Sequence, residues 1–184
     1  LNDVSNAVFT IVLPPAITLT SPNGGETWNV GAIQTITWTS VSITSVKLEY
    51  STNTGSTWTI ITAGAPAAGG SYSWTIPNTP TSLALVRVSD ASNAALNDVS
   101  NAVFTIASVP AVAVTSPNGG EAWTAGSTHT ITWTSTAITN VMIEYSTDNG
   151  ASWSSVTGST PAASAAFAWL IPNTPTSQAR VRIS

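Results

Sequence analysis

The chain has 184 residues, of which only 7% are charged, with eight acids against four bases and a net charge of −4. This acidic, charge-poor balance argues against nucleic acid and anionic membrane as partners. There is no cysteine, which removes disulfides, thiol catalysis and cysteine-ligated metals. No stretch is long and apolar enough to insert across a bilayer.

From its start the chain repeats itself. LNDVSNAVFTI at positions 1–11 recurs unchanged at Leu96–Ile106, an offset of 96 − 1 = 95 residues. The same offset relates SPNGGE at Ser21 and Ser116, TITWTS at Thr35 and Thr130, and IPNTPTS at Ile76 and Ile171. Periods of about 20 to 50 residues belong to solenoids and propellers, whereas about 95 suits an independent β-sandwich. Strand-length segments alternate apolar and polar residues between Gly, Pro, Asn and Ser. They predict strands near Ile17–Ser21, Gln34–Ser40, Ser45–Ser51, Trp58–Thr62, Ser71–Ile76, Ala84–Ser89 and Ala102–Ile106, the first six recurring 95 residues on.

Alternation also assigns faces. Ile36 and Trp38 point inward; so do Val46, Leu48 and Tyr50, with Lys47 and Glu49 outward. Tyr72, Trp74 and Ile76, then Val86 and Val88, then Ala102, Phe104 and Ile106 form further inward rows. The expectation is an all-β chain of two tandem immunoglobulin-like sandwiches: residues 12–106, and residues 107–184 without a last strand. Residues 1–11 would be the last strand of a preceding unit or of a neighbouring copy. Proline-bearing joints at Val12–Pro15 and Ser108–Pro110 are stiff, so the sandwiches are expected end to end.

The motifs SPNGGExW, TITWTS, EYSTxxGxxW, SWTIPNTPTS and VRVSDASN, in that order, resemble tandem immunoglobulin-like, fibronectin-III-like repeats of secreted or surface-attached bacterial and archaeal proteins. They are also similar to the Ser/Thr-rich domain of Kre9/Knh-type cell-wall proteins. The resemblance implies a sandwich serving as stalk, spacer or fibre module, outside the cell or on its surface, with no catalytic residues.

Two hairpins, Ser51–Trp58 and Ser146–Trp153, resemble the Asp-box S-x-D-x-G-x-x-W, with Asn53 in place of Asp in the first. Asn53 and Asp148 would bond turn amides, Gly55 and Gly150 would take positive φ, and Trp58 and Trp153 would cover the turn, a hairpin staple. Eight tryptophans fall four per unit. Trp28 and Trp123 follow the GGE turn and are candidates for an exposed sugar platform, set against the usual burial of aromatics. The loop Asp90–Asn93 gathers oxygens, but Asx-turns suit it better than calcium. A turn role suits Glu26 and Glu121, and His129 stands alone. No His, Asp, Glu or Ser set converges in sequence, so neither catalysis nor a metal or other cofactor is expected.

The phase of the repeat suggests a role. Val4, Ala7, Val8, Phe9 and Ile11 form a candidate assembly strand, and Ala179, Val181 and Ile183 a candidate acceptor groove. The expectation is a structural module of an extracellular fibre, stalk or filament, its partners being other copies or adjacent units joined head to tail. The strand pairs either within a longer tandem array or by donor-strand complementation in trans. The alternative is a carbohydrate-binding or spacer module of a large secreted enzyme or adhesin, with glycans as partners.

Overall fold

A computed structural model describes residues 1–184. The chain divides into two compact units, Leu1–Ala107 and Ser108–Ser184. Unit 1 contains β1 (Ala16–Ser21), β2 (Thr27–Asn29), β3 (Ile33–Val41), β4 (Ser45–Ser51), β5 (Thr59–Pro66), β6 (Ser71–Thr75), β7 (Thr81–Asp90), β8 (Asn93–Val99) and β9 (Phe104–Ala107). Unit 2 contains β10 (Ala111–Ser116), β11 (Thr128–Thr136), β12 (Asn140–Ser146), β13 (Ser154–Pro161), β14 (Ala166–Leu170) and β15 (Arg180–Ile183).

Each unit is a sandwich of two sheets. In unit 1 one sheet runs β1-β3-β6 and the other β2-β9-β7-β4-β5, with β8 adding to β7. Alternation builds the core: Ile36, Trp38, Val46, Leu48, Val86 and Val88 are buried, while Thr35 and Thr39 between them face water. Trp38 can lie there because its indole N–H donates to the Ala67 carbonyl at 3.1 Å, and Trp133 repeats this with Ala162 at 3.0 Å. Unit 2 keeps the sheets β10-β11-β14 and β13-β12-β15 around a smaller core that includes Ile131, Trp133, Val141 and Ile143.

Several details depart from the expected pattern. Unit 1 has two strands that alternation does not mark, β2 and β8. Ala102 is exposed in the bend before β9 instead of pointing inward. Glu49 is 6% exposed although it faces outward along β4. Lys47 Nζ lies 2.7 Å from its Oε1, and Arg87 donates to Oε2 from Nε at 3.0 Å and from a terminal nitrogen at 2.7 Å. These cations cover the carboxylate. Burial works to raise the Glu49 pKa, and the bonds from Lys47 and Arg87 outweigh it, leaving it below the usual range. Residues 1–11 are exposed throughout and form no strand.

Candidate functional site

The two units differ most at one place. In unit 1, β9 lies between β2 and β7, parallel to the first (Trp28↔Ile106) and antiparallel to the second (Ala84↔Phe104). Phe104 and Ile106 are each 1% exposed there. In unit 2 the matching space is a groove of about 990 Å³, lined by Trp123, Tyr145, Trp169, Ile171, Ala179 and Val181 together with the Pro117–Glu121 turn. The strand β15 pairs with β12 along one side and borders this groove on the other.

Burial follows the same division. Trp74 and Ile76 are buried in unit 1, whereas their counterparts Trp169 and Ile171 are only partly covered; Ala84 and Val86 are fully buried, whereas Ala179 is exposed and Val181 half-buried. Backbone order responds as well. Residues 122–124, the counterpart of β2, form no strand, because in unit 1 that strand exists only by pairing with β9. Thr81–Leu85 belongs to β7, while residues 176–179 are irregular.

One wall of the groove is already shaped. The Glu121 carboxylate accepts the Asn118 and Gly119 amides at 2.8 and 2.7 Å, as Glu26 does for Asn23 and Gly24. The Asn118 amide, followed by its own and that of Gly119, holds the Glu121 pKa below the ordinary carboxylate range. Glu26 and Glu121 are thus turn residues. In unit 1 the next amide, Gly25 N–H, donates to Val103 O at 3.0 Å, and Thr105 N–H donates back to Glu26 O at 2.8 Å. A Cβ on Gly24 would come within 2.5 Å of the Ala102 Cβ, whereas one on Gly119 would meet nothing within 4 Å.

The candidate residues fall as follows. Ala179 and Val181 line the groove, but Ile183 does not; it is 8% exposed in the unit 2 core, because it points into the sandwich as Val88 does. Trp123, Tyr145 and Trp169 belong to the groove and were not expected there. In the assembly strand Val4, Val8, Phe9 and Ile11 are exposed, and so is Ala7. Their counterparts in unit 1 do not share one face: Phe104 and Ile106 are inward, Val99 is half-buried, and Ala102 and Val103 are exposed.

Trp28 does not form an exposed platform. It is 7% exposed, with its ring 5.1 Å from Phe104 and 6.2 Å from Trp74, because pairing of β2 with β9 draws it into the core. Trp123 remains half-buried, stacked on His129 at 4.7 Å.

Both hairpins are held by a short side-chain network. Asn53 Oδ1 accepts the Thr57 amide at 2.9 Å, and Asp148 Oδ1 the Ser152 amide at 2.9 Å. Ser51 and Ser146 add what the motif reading left out: each hydroxyl accepts the glycine amide, Gly55 at 2.9 Å and Gly150 at 2.8 Å. Those glycines have φ of 85° and 93°, and Trp58 and Trp153 close over them at 3.4 and 3.3 Å from a would-be Cβ. Arg87 and Arg182 cap the outer ring faces at 4.3 Å. Asp90 accepts the Ser92 amide and hydroxyl at 2.9 and 2.7 Å, an Asx-turn.

No helix is long and apolar enough to cross a membrane. No family model and no curated protein matches the chain. Among solved structures, the fibronectin(III)-like modules of CbhA from Clostridium thermocellum are similar, at 20% identity over 84% of this chain and 78% of that chain, with a TM-score of 0.30.

Proposed function

We propose that the chain is a non-catalytic structural or spacer module of an extracellular fibre, stalk or cell-surface filament, joined head to tail by strand addition. One observation carries this reading. The sequence that fills the space between β2 and β7 in unit 1 occurs a second time at residues 1–11, exposed, while the matching space in unit 2 is an apolar groove. Adding a strand there extends a sheet by main-chain hydrogen bonds and fills pockets with alternate side chains. Donor and groove are different surfaces, so the contact is heterologous and propagates as a line instead of closing into a symmetric pair.

A carbohydrate-binding module is the competing reading, resting on the aromatic wall of the groove. In unit 1 the equivalent rings serve a core, and Trp28 offers no face to a sugar.

Sedimentation velocity over a wide concentration range tests the proposal. Linear oligomers should grow with concentration and vanish when residues 1–11 are deleted or Phe9 is changed to Asp. A chain that stays monomeric at high concentration, or oligomers that survive the deletion, would defeat it. Glycan binding abolished by Trp123→Ala would favour the sugar reading instead.

A further inference from the structure

We infer that Asp3 and Ser5 set the register in which Leu1–Ile11 of a second copy seats in the groove of unit 2; this rests on the strand-addition reading above. Apolar pattern alone leaves the register open. Ala7, Phe9 and Ile11 share one parity, so a slip of two residues still presents alternate apolar side chains to the groove.

The polar residues remove that freedom. In unit 1 the Asp98 carboxylate, on β8, accepts the backbone N–H of Leu19, on β1, at 2.8 Å and so ties one sheet to the other. Ser100, 6% exposed, accepts the Val86 amide at 3.0 Å and donates to the Pro22 carbonyl at 2.8 Å. Asp3 and Ser5 are the same residues 95 positions earlier. The groups awaiting them in unit 2 are backbone groups, the amides of Val114 and Val181 and the carbonyl of Pro117, so the changed side chains of unit 2 do not remove them.

The backbone that carries these groups has the same form. Both β1 and β10 bulge at equivalent points, between Leu19 and Ser21 and between Val114 and Ser116. The Glu121-held turn repeats the one made by Glu26. A strand slipped by two would bury a carboxylate and a hydroxyl without partners, which costs more than the apolar contacts it retains.

The test is a labelled peptide of sequence Leu1–Ile11, titrated by fluorescence anisotropy into the whole chain at concentrations where the chain does not self-associate. Amide exchange is followed at residues 122–124, which should gain protection as they take up the β2-like strand. Asp3→Ala and Ser5→Ala should each weaken binding roughly tenfold or more. Asp3→Asn keeps an acceptor oxygen and should lose only about threefold.

If Asp3→Ala and Ser5→Ala peptides bind as tightly as the parent and protect the same amides, the register role is overturned while strand addition stands. Absence of both binding and protection overturns strand addition itself. As a control, a chain extended at Ser184 by a copy of Asp90–Ile106 fills its own groove and should not bind the peptide. Undiminished binding would place the peptide elsewhere and overturn both inferences.

Discussion

The indole of Trp123 lies flat on the imidazole of His129, ring centroids 4.7 Å apart and planes 4° from parallel. Its repeat counterpart Trp28 is instead packed against Phe104 and edge-on to Trp74. The two tryptophans share a sequence context but differ in cover, so they should differ in their cost of removal. Trp28→Ala empties a closed core site and should destabilise unit 1 by about 3–5 kcal/mol. Trp123→Ala removes a half-exposed ring and should cost unit 2 about 1–2 kcal/mol. Urea unfolding of each variant, resolved by unit, measures the difference; equal losses would contradict the burial assigned here.

Ser100 and Ser5 make the same comparison with identical neighbours. Ser100→Ala leaves the buried Val86 N–H without its side-chain acceptor, and unit 1 should lose about 1–3 kcal/mol. Ser5 is exposed, so Ser5→Ala should leave thermal unfolding of the dilute chain unchanged. A shift of the melting curve by Ser5→Ala would mean that residues 1–11 are already engaged.

What the sequence reveals here, and what it hides, follows the range of the interactions. β3 and β4 are legible because their alternation is local and their inward rows are unbroken. β2 is only three residues long and exists through parallel pairing with a strand almost eighty residues away, so no local pattern marks it, and Trp28 could be taken for a surface residue. β8, NAALNDV, is polar and lacks alternation; its register comes from pairing with β7 and from the Asp98 bond to Leu19. Glu49 defeats the face rule for the same reason, since the Arg87 that covers it belongs to a neighbouring strand. The groove was legible as an imbalance in the repeat. Its aromatic wall was not, because Trp123 and Trp169 become uncovered only where no β9-like strand lies over them.

The ion pairs of the two units should respond unequally. Glu49 is bonded by both Lys47 and Arg87 and its side chain is 7% exposed, while Glu144 faces Arg182 alone, with Met142 in place of the lysine, and is 14% exposed. Arg87→Ala also loses the stacking on Trp58 and should cost about 1–3 kcal/mol. Arg182, whose side chain is 45% exposed, should cost about 1 kcal/mol or less when replaced by Ala. In Arg87→Ala the Glu49 carboxyl keeps its burial but loses two bonds, so its pKa should rise. Carboxyl carbon shifts followed by NMR would report this, and an unchanged titration would argue against the Arg87 contact.

The two hairpin staples differ in charge, which makes one of them sensitive to acid. Bonds from the Ser152 hydroxyl first, then from the Ser152 amide and the Ser146 hydroxyl, bring the Asp148 pKa from 3.8 down to about 2. A folded-state pKa below the unfolded one means that the stabilisation is complete above about pH 4. It is lost as pH falls from there through about 2, where the folded carboxylate takes up its proton. Asn53 accepts the corresponding Thr57 amide without a titrating group. On acidification the Ser152 amide should therefore shift with a midpoint near 2 and exchange faster with solvent, while the Thr57 amide stays unchanged. Asp148→Asn should abolish the Ser152 transition while retaining the hairpin, because the amide oxygen can accept the same backbone N–H. A Ser152 midpoint close to 4 would show that the carboxylate is not held by these bonds.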